Sequence, residues 1–129
     1  MWAAMPEERL RRIAIADSSP AFLTAAASYI SNLPGYVLAG TSDKASQAVT
    51  LVNSSGADVL LLDLGSHPIR GLEILRRVKA QQRAPVVVAM TLFHTRETAA
   101  AARGAGADAL VGKECFVPGL REALARLFP

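Results

Sequence analysis

Residues 59–65 read VLLLDLG, a run of four apolar side chains followed by Asp63. Four more apolar runs lie at 13–16, 36–39, 86–90 and 109–111. In chain order, the starts of the five runs are separated by 23, 23, 27 and 23 residues. Because the runs are nearly continuous instead of alternating, they predict strands buried on both faces, as in a parallel sheet covered by helices. Each interval has room for one crossover helix.

The segments between these runs carry apolar residues at helical spacing. The clearest stripe consists of Phe22, Ala26, Tyr29, Ile30 and Leu33. The segment Ser18-Ser19-Pro20 predicts a capped helix start with proline in the first turn, and Ser42 or Asp43 is a candidate cap for a helix near 44–55. The pattern predicts an α/β fold with a five-stranded, doubly wound parallel sheet of order 2-1-3-4-5, a flavodoxin-like (βα)5 unit. Such sheets bind ligands at the carboxyl ends of strands 1 and 3.

Length and composition limit the function classes. The 129 residues predict an N-terminal extension over 1–10 and one domain over 11–129. Hydrophobic residues make up 51% and charged residues 19%, which excludes a disordered chain. No apolar run has the roughly 20 residues of a membrane span, and the N-terminus lacks a secretory signal, so we expect a cytoplasmic protein without membrane contact.

Charge and cysteine content exclude further classes. A net charge of +3, without a basic stripe or a recognition-helix pair, argues against direct nucleic-acid binding by this chain. Cys115 is the single cysteine, which excludes an internal disulfide and a cysteine-based metal cage. We expect Cys115 to be partly buried near the start of the last helix.

Polar residues follow four of the five predicted strands. Asp17, Asp63, Thr91 and Lys113 each come at or just after a strand end, so the sheet brings them to one edge. Two carboxylates suit a hard cation such as Mg²⁺, and a carboxylate can carry a phosphoryl group. Lysine and threonine suit phosphoryl oxygens. Taken singly, each acid can equally be a helix cap or turn residue, and the lysine a solvated surface charge.

The chain resembles the receiver domain of bacterial two-component response regulators over residues 11–128, most closely the subclass linked to helix-turn-helix outputs. The matching segments are IAIADSSPAFL (13–23), DVLLLDLGSHPIRGLEIL (58–75), APVVVAMT (84–91) and GADALVGK (106–113). The resemblance implies a phosphoprotein of a phosphorelay, a signalling domain with at most slow autodephosphorylation and otherwise no enzymatic activity.

The resemblance also implies roles for individual residues. Asp63 is the phospho-acceptor, and Lys113 and Thr91 contact the phosphoryl oxygens. Thr91 lies 22 residues before the lysine, as in the family, although counting from Pro85 selects Met90 instead. Mg²⁺ is the implied cofactor. Its implied ligands are Asp17, Asp63, the carbonyl of Gly65, and Ser18 through a water. Gly71 corresponds to the glycine that opens the third-helix region of the family.

The chain departs from the family pattern in four respects. Ser18 replaces the second acid after strand 1, which lowers the negative charge of the metal pocket and predicts weaker Mg²⁺ binding. Leu110 replaces the usual aromatic residue of strand 5, and Glu114 follows the lysine where proline is common. Ser66 and His67 replace Met-Pro after the acceptor.

Three functions stay open at this point. The first is phosphoryl transfer to Asp63 from a histidine kinase or a phosphotransfer protein, which switches protein–protein interactions. A homodimer through the fourth helix, fifth strand and fifth helix is one such output. The second is a pseudo-receiver that binds its partner independently of phosphorylation. The third is a small-molecule-binding flavodoxin-like domain, which only the fold supports.

Overall fold

Five parallel strands form a single sheet in the computed structural model, which describes residues 10–66 and 68–129. Its strand order is β2-β1-β3-β4-β5, which confirms the predicted order. The strands are β1 (Arg11–Ala16), β2 (Tyr36–Ser42), β3 (Val59–Asp63), β4 (Val86–Thr91) and β5 (Ala109–Gly112).

One α-helix follows each strand. The helices are α1 (Pro20–Ser31), α2 (Ala48–Ser55), α3 (Pro68–Lys79), α4 (Arg96–Gly104) and α5 (Phe116–Leu127). None of the helices described is long and apolar enough to cross a membrane. The predicted 1–10 extension falls almost entirely outside the residues described, so its boundary stays a prediction.

Every residue of β3 is buried, as the continuous apolar pattern predicts for a central strand. One core cluster, which includes Ile13, Leu61 and Leu120, packs against α1 and α5. A second cluster, which includes Leu60 and Leu75, packs against α2 and α3. Helices therefore cover both faces of the sheet and leave its carboxyl edge as the place where polar groups meet.

Two helix starts were predicted from the sequence, with different outcomes. Ser19 caps α1 as predicted: its side chain accepts a hydrogen bond from the N–H of Phe22, and Pro20 occupies the first turn. The predicted cap of the next helix is wrong. Ser42 Oγ accepts from the N–H of Lys44 and closes a tight turn, and a 3₁₀ turn at Ala45–Gln47 precedes α2.

Candidate functional site

Asp17 and Asp63 lie side by side because their strands are neighbours. Ala16 of β1 is paired with Leu62 of β3, and each aspartate is the next residue along the chain. Asp17 is fully buried and Asp63 is 5% exposed. Both carboxylates also accept a backbone hydrogen bond from two residues on: Asp17 Oδ1 from Ser19 N–H at 2.8 Å, and Asp63 Oδ1 from Gly65 N–H at 3.0 Å. The turn interpretation is therefore correct for both acids, and it holds them in the shared pocket.

Lys113 brings a positive charge between the two acids. Its Nζ lies 2.7 Å from Asp17 Oδ2 and 3.3 Å from Asp63 Oδ1. Only 9% of the lysine side chain is exposed, so the solvated-surface interpretation is wrong. The two carboxylates and one ammonium leave the pocket with a formal charge of −1. The ammonium is thus a permanent counter-ion of both acids.

Burial governs the protonation of Asp17. The pKa of Asp17 lies above its ordinary value of 3.8; removal from water is the largest cause, and Lys113 and the Ser19 N–H act in the opposite direction. The nearby carboxylate of Asp63 raises it further. Ionisation of the buried Asp17 carboxyl group therefore costs free energy, and any added cation in the pocket would offset that cost.

The hydroxyl groups of Ser18 and Thr91 have different partners. Ser18 Oγ donates to Asp63 Oδ2 at 3.3 Å, so the residue that replaces the second acid binds Asp63 directly. Thr91 is 7% exposed and ends β4 at the same edge. Its Oγ1 accepts from the N–H of Phe93 at 3.2 Å and lies 3.4 Å from the carbonyl of Phe93. Met90, the alternative choice, is fully buried in the apolar core.

Two glycines shape the segment after Asp63. Gly65 has φ of +74°, a left-handed conformation that disfavours other residues. Gly71 in α3 packs directly on the chain at Leu64: a Cβ at position 71 would lie 2.7 Å from the Leu64 Cα. This close approach explains why a glycine lies eight residues after Asp63. His67 lies outside the residues described.

Leu110, a further departure from the family pattern, lies on the side of the sheet edge that faces α4 and α5. Leu110 is half-buried and lines two neighbouring cavities, of about 210 and 350 Å³, together with His94 and Arg126. These cavities lie between α4, β5 and α5. Cys115 is exposed, so the expectation of partial burial is wrong.

Sequence reasoning missed Phe22 as a member of this site. It was assigned only to the apolar stripe of the first helix, yet its ring lies 4.5 Å from Lys113 Nζ. The helical periodicity identifies the buried face of α1 correctly. The periodicity does not indicate which aromatic residue on that face contacts a lysine that is distant in the sequence.

The oxygen atoms around this pocket suit a hard divalent cation. Its two acids supply less negative charge than three acids would. Carboxylate oxygens of Asp17 and Asp63 and the backbone carbonyl of Gly65 are the oxygen ligands that Mg²⁺ prefers. Within residues 10–66 and 68–129, no group of three or more His, Cys, Asp or Glu side chains is placed to hold a metal ion. The pocket therefore depends on backbone and water oxygens to complete a coordination shell.

Fold and site together define a doubly wound α/β domain with an acid–lysine pocket at its topological switch point. The family model of the response regulator receiver domain matches residues 13–125, and the chain belongs to this family. Receiver domains are signalling domains. The sequence resemblance is therefore confirmed at the level of the family.

Known proteins similar to this chain include two-component regulators. The nitrate/nitrite response regulator protein NarL of Escherichia coli K12 is 26% identical over 93% of this chain and 56% of its own length. The signal receiver domain of a DNA-binding response regulator from Colwellia psychrerythraea 34H has a TM-score of 0.78 at 24% identity, covering 91% of this chain and 97% of its own. The chain thus spans about half the length of the curated relative.

A third similar protein was solved as a complex. The crystal structure of the P1 domain of CheA3 in complex with CheY6 from R. sphaeroides contains a chain with a TM-score of 0.70 at 26% identity. The similarity covers 91% of this chain and 92% of that one.

Proposed function

We propose that the chain accepts a phosphoryl group on Asp63 from the phosphohistidine of a histidine kinase or a phosphotransfer protein. The observation that carries the proposal is the position of Lys113, whose ammonium bridges the acceptor Asp63 and the second acid, Asp17, in a buried pocket. A lysine in this place neutralises charge at the point where a phosphoryl group would arrive.

In the proposed reaction a carboxylate oxygen of Asp63 attacks the phosphorus atom. The new bond is P–O, the bond that breaks is P–N, and its electron pair stays on the leaving imidazole nitrogen, which takes a proton from water. Lys113 faces the developing negative charge. The Ser18 hydroxyl and the Gly65 N–H hold the acceptor carboxylate in a fixed orientation.

Thr91 changes partner in this proposal. Its hydroxyl accepts from the Phe93 N–H and lies 3.4 Å from the Phe93 carbonyl in the present structure, so donation to a phosphoryl oxygen would replace its contact with that carbonyl. The loop after β4 carries Leu92 and Phe93, which are 60% and 75% exposed. Phosphorylation would therefore alter the presentation of two apolar side chains at the surface, which is one route to a changed partner affinity.

Asp17, Asp63 and the Gly65 carbonyl would hold Mg²⁺, and Ser18 would contribute through a water. When bound, the ion supplies charge neutralisation to the transferring phosphoryl group. The replacement of an acid by Ser18 leaves two carboxylates in the set, so we propose a weak site.

The proposed partners are a phosphohistidine donor and, as one output, a second copy of the chain. The complex of CheY6 with the P1 domain of CheA3 supports a donor of this type. Half-buried Leu110 and the cavities between α4, β5 and α5 leave that face incompletely packed, which supports a homodimer through these elements.

Intact-mass spectrometry after incubation with phosphoramidate, with and without Mg²⁺, tests the proposal. We expect one phosphoryl adduct that depends on Mg²⁺ and is absent in Asp63→Asn. A folded wild-type chain that takes up no phosphoryl group would contradict it. The second candidate, a pseudo-receiver, would then apply, since each carboxylate oxygen of Asp63 already has a partner within the chain, Ser18 on Oδ2 and Lys113 on Oδ1. Its mark is partner binding that Asp63→Ala leaves unchanged.

A further inference from the structure

The aromatic ring of Phe22 supplies a third partner to the ammonium of Lys113. Phe22 lies in the first turn of α1, and the Nζ atom lies over its ring, 4.5 Å from the centroid. This distance is within the ~6 Å range over which an ammonium is attracted by an aromatic face. The same Nζ contacts Asp17 and Asp63, so one buried cation is held by two carboxylates and a ring.

We infer that Phe22 is a positioning residue, whose ring holds the Lys113 ammonium between Asp17 and Asp63 at the point where a phosphoryl group would arrive. The inference rests on the proposed function for its kinetic consequence. Its physical core, an energetic coupling between Phe22 and Lys113, does not depend on phosphorylation.

The need for such a partner follows from burial. A lysine ammonium has three N–H donors and no acceptor, and leaving a buried charge without partners is costly. The carboxylates supply two partners to Nζ, and the ring supplies a third. Attraction by a ring face is less directional than a hydrogen bond. The ammonium can therefore turn from a carboxylate towards a phosphoryl oxygen without losing this partner.

The ring is itself fixed by two further aromatic residues. Phe116 meets Phe22 edge to face, with centroids 5.1 Å apart and ring planes at 77°. Tyr29 meets Phe116 in the same manner at 6.1 Å and 76°. Phe116 opens α5 three residues after Lys113, so the aromatic cluster of Phe22, Phe116 and Tyr29 links α1 to the segment that carries the lysine.

Changing the electron density of the ring without changing its shape distinguishes a cation–π role of Phe22 from simple packing. Replacing Phe22 with mono-, di- and trifluorinated phenylalanine weakens the negative face of the ring in steps while its shape stays nearly constant. We expect the rate constant for phosphorylation by phosphoramidate to fall stepwise, because a less firmly held ammonium is less often in place to face the phosphoryl group; the overall fall is at most about thirtyfold, the upper range of a cation–π contact. Fluorinated phenylalanine at Phe116, whose ring contacts Phe22, is the matched control and should give no stepwise trend.

A double-mutant cycle gives a second readout that is independent of phosphorylation. Urea unfolding of Phe22→Leu, Lys113→Met and the double variant measures their coupling, and we expect it to change the unfolding equilibrium constant by about two- to thirtyfold. Phe22→Tyr keeps the ring face and should keep most of the coupling to Lys113.

The outcomes separate this inference from the proposed function. Phosphorylation that is insensitive to fluorination, together with a coupling factor near one, would overturn the role of Phe22 while the acceptor role of Asp63 stands. A coupling in the expected range in a chain that takes no phosphoryl group would support the Phe22–Lys113 contact and refute the proposed function instead.

Discussion

Replacing Lys113 with methionine is expected to destabilise the fold strongly, because two buried carboxylates would face each other without a counter-ion. Methionine keeps the apolar stem and removes only the charge. The formal charge of the pocket changes from −1 to −2. Removing one partner of a buried ion pair costs about 3–5 kcal/mol. Since Asp63 retains 5% exposure and water can reach it, we place the loss at the lower end, about 3 kcal/mol.

Urea unfolding followed by circular dichroism at neutral pH, in EDTA, measures this loss. Lys44→Met is the matched control: Lys44 is exposed and forms no ion pair among the residues described, so its change should stay within about 0.5 kcal/mol. Adding MgCl₂ should recover more stability in Lys113→Met than in the wild type, because the ion restores positive charge to the pocket. A loss below about 1 kcal/mol relative to Lys44→Met would refute the interpretation of Lys113 as the pocket's counter-ion.

Three further predictions concern the same region. Gly71→Ala should lower the free energy of unfolding in urea by about 1–3 kcal/mol or more, because the added Cβ would overlap with the Leu64 backbone. Its control is Gly104→Ala, where the added Cβ meets open space, so the change should be neutral or stabilising. In EDTA, wild-type stability contains a contribution that falls as pH rises above 3.8, the ordinary pKa of this carboxyl group, since the raised pKa lets the folded state keep the Asp17 proton longer than the unfolded chain does; Asp17→Asn should lose that slope, and an unchanged slope would count against it. Ser18→Asp should increase the affinity for Mg²⁺, measured by calorimetry, about tenfold or more, because an added nearby charge is worth about 1–4 kcal/mol. An affinity equal to that of Ser18→Ala would contradict this prediction.

The fold was predictable because its signals are local and repeated. Five apolar runs at regular spacing determine the sheet, and burial of all five residues of β3 matches that pattern. Strand ends were less predictable. The second apolar run ends at residue 39, yet β2 continues to Ser42, because its last residues pair with the backbone of β1 after a shift in register between Ile13 and Ala14. Backbone pairing leaves no mark on side-chain polarity, so composition could not locate that end.

The site was predictable only as a set of residue types at one edge. Strand topology requires Asp17, Asp63, Thr91 and Lys113 to meet there, and the structure places all four at that edge. Their partners are set by tertiary packing. Nothing in the sequence indicates that Thr91 bonds to the backbone of Phe93, or that Lys113 is buried between the acids.

The exchange of an acid for Ser18 and the burial of Lys113 have a joint consequence. With two carboxylates instead of three, a single ammonium compensates half of the pocket's negative charge, and the serine hydroxyl binds the acceptor instead of repelling it. The unphosphorylated pocket is therefore organised by the chain's own groups. A divalent cation entering it gains less electrostatic energy than it would in a three-acid pocket. The balance between Lys113 and an added cation would thus decide whether the proposed phosphorylation of Asp63 takes place or the pocket stays in its present, partly neutralised state.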